Sequence, residues 1–88
     1  MNQISVKSYF NEDGQLLHLP GRRQKKKLDI IIGILANKFQ RGVNYSEKEV
    51  NEILNKYHLF NDPATLRRLL VGTSILDRTK DGKRYWLV

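Results

Sequence analysis

The chain has 88 residues, enough for one small domain that buries roughly 60–65% of the surface its unfolded form exposes, and too few for a second folded unit. With 40% apolar residues and no cysteine, it is expected to fold around one packed core in a reducing cytoplasm, and neither a disulfide framework nor a thiolate zinc site is open to it. Sixteen Lys plus Arg against nine Asp plus Glu leave a net charge of +7, a balance that favours a polyanionic partner.

Residues 4–10 read as a short helix or strand. Asn11 to Gln15 is turn-like around Asp13-Gly14, and Leu16, Leu17 and Leu19 run into a stop at Pro20-Gly21. Residues 1–21 are therefore an N-terminal extension. From Gln24 to about Gln40, Leu28, Ile31, Ile32, Leu35 and Phe39 recur at helical spacing, with Ile30 and Ile34 broadening the stripe, and Gly42 is the expected stop. A first helix that is apolar on more than one side needs a cover. The extension, through Tyr9, Phe10, Leu16 and Leu17, is the segment expected to pack on it. The apolar stretch at 30–36 is far shorter than the ~20 residues of a membrane span, and the N-terminus has no apolar signal-peptide stretch.

Residues 43–45 allow a short strand only. Ser46-Glu47-Lys48-Glu49 then has the pattern of a capping box, opening a second helix whose face is Val50, Ile53, Leu54 and Tyr57. Asp62-Pro63 is a start signal for a third helix, expected to run to about Val71 and to be closed by Gly72. Residues 74–79 and 83–88 read as two strands joined by a tight turn at Asp81-Gly82, with residues 43–45 as a third strand of the sheet. The fold class is α+β of winged helix-turn-helix type: three helices plus a small antiparallel sheet.

No catalytic signature is present. His18 and His58 sit in separate segments and read as structural or solvent-facing. Asp, Glu and His show no metal-ligand spacing, the isolated glycines make no phosphate cradle, and Ser46 is accounted for as a cap. No enzyme, metal or cofactor is expected.

The distribution of charge favours nucleic acid. In the second helix Glu47, Glu49 and Glu52 outnumber Lys48 and Lys56. In the third helix and hairpin Arg67, Arg68, Arg78, Lys80, Lys83 and Arg84 outnumber Asp62, Asp77 and Asp81. At 100° per residue Leu66, Leu69 and Leu70 point inward, so Ala64, Arg68 and Val71 face outward with Arg67 on the flank, suited to a major groove. The arginine forks fit guanine edges or phosphates, and Ala64 or Val71 fits a thymine methyl. The hairpin is then a wing, its cations aimed at phosphates or the minor groove. A third cluster, Arg22, Arg23, Lys25, Lys26 and Lys27, surrounds the start of the first helix, where the macrodipole disfavours cations and a bound phosphate would offset them. The plainer alternative for all these cations is a solvated surface and a guarded sheet edge. Of Tyr85 and Trp86, which alternate along the last strand, Trp86 is expected in the core. An exposed Tyr85 or Tyr45 would be free to stack a base or form a dimer contact.

Leu19-Pro20 before the basic run, Tyr45-Ser46-Glu47-Lys48-Glu49-Val50-Asn51-Glu52-Ile53-Leu54, Asp62 with Leu66-Arg67-Arg68-Leu69-Leu70, and Leu76-Asp77-Arg78 with Asp81-Gly82 and Tyr85-Trp86 together resemble the bacterial domain of unknown function 2087. The resemblance spans nearly the whole chain. It implies a regulatory setting: the domain also occurs at the C-terminus of regulators with an N-terminal ArsR-type helix-turn-helix, and stand-alone members carry the label of transcriptional regulators, itself an inference. It offers no catalytic or ligand-binding residues to transfer. Duplex DNA binding in transcriptional control is thus the expected function, and a protein-interaction or dimerisation module of a regulator is the alternative. An anionic membrane surface is less well supported, for want of a basic amphipathic helix.

Overall fold

The computed structural model describes residues 5–88, so Ile4 and the start of the expected first element lie outside the described residues. Helix α1 spans Lys25–Ala36, α2 Glu47–Lys56 and α3 Pro63–Gly72, followed by strands β1, Leu76–Arg78, and β2, Tyr85–Leu87. A single 3₁₀ turn, Lys7–Tyr9, precedes them. The domain is α+β, three helices with a two-stranded antiparallel sheet.

Local chemistry explains where α2 and α3 begin. The Ser46 hydroxyl accepts from the Glu49 amide at 3.1 Å while the Glu49 carboxylate accepts from the Ser46 amide at 2.9 Å, so two amides left over at the helix start are satisfied reciprocally. Asp62 caps α3 by accepting from the Thr65 amide at 3.2 Å and the Thr65 hydroxyl at 2.6 Å, and Pro63 occupies the first turn.

The helix ends differ from the sequence-based expectation. Helix α1 stops at Ala36, well before Gly42, because Phe39 turns into the core and meets the Tyr45 ring edge-on at 5.3 Å. Amides 38 and 39 tighten onto the carbonyls three residues back, and the Tyr45 hydroxyl accepts from the Gln40 amide at 2.8 Å. In α3, Gly72 is still helical and Ser74 takes the left-handed conformation at φ 63°. The Ile75 amide donates to the Leu70 carbonyl and the Ser74 amide to the Val71 carbonyl, each at 3.0 Å. That pair of bonds is a Schellman motif with serine in the position that usually falls to glycine.

The core is built from Ile31, Ile32 and Leu35 of α1, Val50 and Leu54 of α2, Leu66 and Leu70 of α3, and Leu76 and Tyr85 of the hairpin. The extension is tied to the α2–α3 connection: the Leu16 amide donates to the Tyr57 carbonyl at 2.7 Å and the Leu59 amide to the Leu16 carbonyl at 2.9 Å. It reaches α1 through Tyr9, whose hydroxyl donates to Gln24 at 2.9 Å. The expected cover over α1 is therefore partial, with Ile30 37% and Leu17 39% exposed. His58 is buried at the same junction. Its Nδ1 lies 2.7 Å from the Leu54 carbonyl and its Nε2 accepts from the Asp62 amide at 2.8 Å, so one ring joins the end of α2 to the start of α3. The Asp62 amide can only donate, which assigns the proton to Nδ1. His18 is exposed and lies against the Tyr9 ring.

Leu76 pairs with Leu87, Asp77 with Trp86 and Arg78 with Tyr85. The two strands are shorter than the ranges 74–79 and 83–88, and the tight turn at Asp81-Gly82 widens to the loop 79–84. Within it the Gly82 amide donates to the Thr79 carbonyl, and Gly82 has φ 71°. The expected third strand contracts to one antiparallel bridge, in which Tyr45 and Tyr85 exchange amide bonds of 2.7 and 2.8 Å.

Candidate nucleic-acid interface

Helix α3 lies between the hairpin and the start of α1, and its sides carry different chemistry. Leu66 and Leu70 point into the core. Arg67 and Val71 lie toward α2 and the hairpin, Thr65 and Leu69 toward the segment 19–25, and Arg68 and Gly72 form the exposed ridge.

On the hairpin side a groove of about 390 Å3 is walled by Glu47, Arg67, Arg68, Val71, Arg78 and Tyr85. The two adjacent arginines have different surroundings. Arg67 is only 15% exposed in its side chain; it donates to Asn51 at 2.5 Å and pairs with Glu47 at 3.0 Å. Helical geometry put Arg67 on the flank, but the flank is occupied by α2. Its donors facing α2 are engaged, so the residue binds α2 to α3 while it also lines the groove. Arg68, next along the chain, is exposed and forms no ion pair among the described residues.

The last strand also corrects the expectation for its aromatics. Leu76 and Leu87 are opposite each other and turn toward the core, and residues two apart on a strand share a face. Tyr85 is consequently inward and 3% exposed, while Trp86 is half-buried opposite Asp77 on the other face. Tyr45 is buried as well, so neither tyrosine offers its ring for base stacking. The same register places Arg78 on the Tyr85 side, and its guanidinium lines the groove. The groove and its tyrosine were missed from the sequence. The available signal was the period-two relation of Leu87 to Tyr85.

Lys80, Lys83 and Arg84 are exposed on the hairpin loop and do not line the groove. The loop is held by Asp81, which accepts from the Thr79 hydroxyl at 2.6 Å and the Lys83 amide at 3.0 Å. Those bonds, the Thr79 hydroxyl foremost, hold the Asp81 carboxyl below its ordinary pKa. Asp62 is lowered likewise, first by the Thr65 hydroxyl and then by the Thr65 amide, with a smaller contribution from the charge of Arg68.

On the other side of α3 a largely apolar groove of about 670 Å3 runs between Leu19, Pro20, Leu28 and Leu69, rimmed by Arg22 and Lys25. The basic run thus divides. Arg22 and Lys25 reach the α3 flank, Lys25 also stands with Arg23, Lys26 and Lys27 around the first turn of α1 with Asp29 nearby, and Lys27 lies 5.8 Å over the Tyr9 ring. Gln24 stands at the N-cap of α1 without a capping side-chain bond, and the first turn has no acidic residue. Arg22, Lys25, Arg68 and Arg78 are accordingly brought to the sides and ridge of one helix, Arg67 lines the hairpin-side groove while paired to Glu47, and Arg23, Lys26, Lys27, Lys80, Lys83 and Arg84 lie away from the two grooves.

No helix among the described residues is long and apolar enough to cross a membrane. Neither curated proteins nor solved structures yield a match to the chain. A family model described as "Uncharacterized protein conserved in bacteria (DUF2087)" matches residues 15–87, a span that takes in all three helices and both strands. The chain belongs to that bacterial family.

Proposed function

We propose that this chain is a DNA-binding domain of winged helix-turn-helix type acting in transcriptional control in the cytoplasm, with α3 toward the major groove and the hairpin as the wing. The observation that carries the reading is the placement of Arg22 and Lys25 on one flank of α3, Arg68 on its ridge and Arg78 on the other flank. These cations come from three separate stretches of sequence, and a solvated surface has no need to gather them along one helix. Arg68 is the base-edge or phosphate reader, while Lys80, Lys83 and Arg84 serve phosphates from the loop.

Titration of labelled duplex DNA at several salt concentrations tests it. If Arg22, Lys25, Arg68, Arg78, Lys80, Lys83 and Arg84 each displace a counterion, the slope of log K against log salt approaches about −6. Arg68→Glu is expected to weaken binding strongly and uniformly at low salt. Absence of low-salt binding by the wild type refutes the proposal. A concentration-dependent sedimentation shift in that case supports the alternative, a protein-interaction or dimerisation module, for which the observation in favour is Ile30 exposed on α1 beside the half-buried Ile34.

A further inference from the structure

The groove between α2, α3 and the hairpin has more donors than its own side chains can use. Tyr85 is 3% exposed, its ring belongs to the core, and its hydroxyl makes no hydrogen bond to any described residue. Every fully buried side-chain nitrogen and oxygen among the described residues does have a partner, so the unbonded Tyr85 oxygen is the part of that side chain that reaches the groove. Arg78 comes to the same place. A Cβ added to Gly82 would stand 3.6 Å from Arg78 Nη1 and 3.7 Å from the Tyr85 oxygen, so both groups lie under the hairpin loop at a position without a side chain of its own. The guanidinium of Arg78 has one long bond, 3.4 Å to the Thr79 carbonyl. Arg68 contributes a second guanidinium from the α3 wall. The carboxylate in the groove is Glu47, and Arg67 already engages it.

We propose that this groove is a phosphate-binding site, with Arg68, Arg78 and the Tyr85 hydroxyl as donors and Arg67 as the positioning residue that neutralises Glu47. A phosphate supplies several acceptor oxygens and no obligatory donor. It is tetrahedral, so it can meet two forks and a hydroxyl arriving from different walls, where a planar carboxylate would satisfy one fork. The phosphate comes either from a nucleic-acid backbone or from a free phosphate ester. The first source rests on the DNA reading above, and the site itself does not.

The discriminating variant is Tyr85→Phe, which keeps the ring in the core and removes only an oxygen that bonds to no described residue. Its melting temperature is expected to equal that of the wild type. Side-chain Nε–Hε resonances of Arg68 and Arg78 are followed by NMR as millimolar inorganic phosphate is added, with chloride at matched ionic strength as the control. Saturable shifts with phosphate alone, weakened about tenfold in Tyr85→Phe, are expected, and in Arg68→Gln the shift at the remaining Arg78 Nε–Hε is expected to be lost. Equal affinity of Tyr85→Phe and wild type, or the same shifts with chloride, overturns the proposal. A parallel titration with duplex DNA separates the sources: a matching loss in Tyr85→Phe identifies the backbone phosphate. Phosphate binding without DNA binding identifies a free phosphate ester, upholding the site and refuting the DNA reading alone.

Discussion

Arg67 and Arg68 are neighbours with separable duties, and replacing each by methionine separates them. Methionine keeps an unbranched stem, so the loss is confined to the guanidinium. In Arg67→Met the hydrogen bond to Asn51 and the ion pair with Glu47 both disappear. The ion pair must be discounted, because Glu47 is 52% exposed and solvent screens it to about 0.2–1 kcal/mol. A hydrogen bond from a charged donor adds about 1.5 kcal/mol, for a total near 2 kcal/mol. In a domain of this size that lowers Tm by roughly 8–15 °C. Arg68→Met removes no side-chain hydrogen bond or ion pair among the described residues and should cost less than about 0.5 kcal/mol, yet it should make the salt slope of DNA binding shallower by about 0.9. Thermal melting by circular dichroism and fluorescence anisotropy across a salt series read the two effects. A cycle with Asn51→Ala adds a check, since the Asn51 and Arg67 losses must be non-additive. Equal Tm losses at 67 and 68, or an Arg67→Met protein that melts like the wild type, would refute the division of roles.

The Schellman motif predicts that Ser74→Gly raises stability by about 1 kcal/mol, because serine at φ 63° bears a steric cost that glycine avoids; a lowered urea midpoint would contradict this. His58→Leu should cost about 1–3 kcal/mol, since the Asp62 amide loses its partner at the α2–α3 junction and the Leu54 carbonyl keeps only the Tyr57 amide. Long-range nitrogen–proton NMR correlations on the wild type should find the proton on Nδ1, and an Nε2 proton would disprove the bonding scheme. The hairpin loop should loosen in acid. With the folded pKa of Asp81 below the ordinary 3.8, its stabilisation is full above 3.8 and disappears as pH falls through the folded value. The Lys83 amide shift should then titrate with an inflection below 3.8, and an inflection at or above it would rule out the Thr79 and Lys83 bonds as the cause.

The proposed interface depends on how the fold uses its polar side chains. Asn51 and Glu47 hold one side of α3 to α2, and His58 holds the start of α3 to the end of α2. The ridge residue Arg68 is thereby presented from a helix anchored at its beginning and along its flank, which lowers the entropy lost when that arginine meets an anion.

Features that depend on a few consecutive residues were readable in the chain alone: the capping box at Ser46, the Asp62-Pro63 start, and the order of three helices and a hairpin. Each is dictated by backbone groups and side chains within one or two turns of each other. The inward stripe of α3 was readable for the same reason, since Leu66 and Leu70 are one helical turn apart. Tertiary structure decided the rest. Helix α1 ends early because Phe39 meets Tyr45, and Tyr85 rather than Trp86 goes inward because Leu76 pairs with Leu87 and Tyr45 bridges to Tyr85. The roles of Arg67 and Arg68 diverge because Asn51 and Glu47 arrive from another helix. Periodicity assigns a residue to a face, but whether that face meets solvent or a partner depends on segments far away in sequence, and their approach is set by the packing of the whole core.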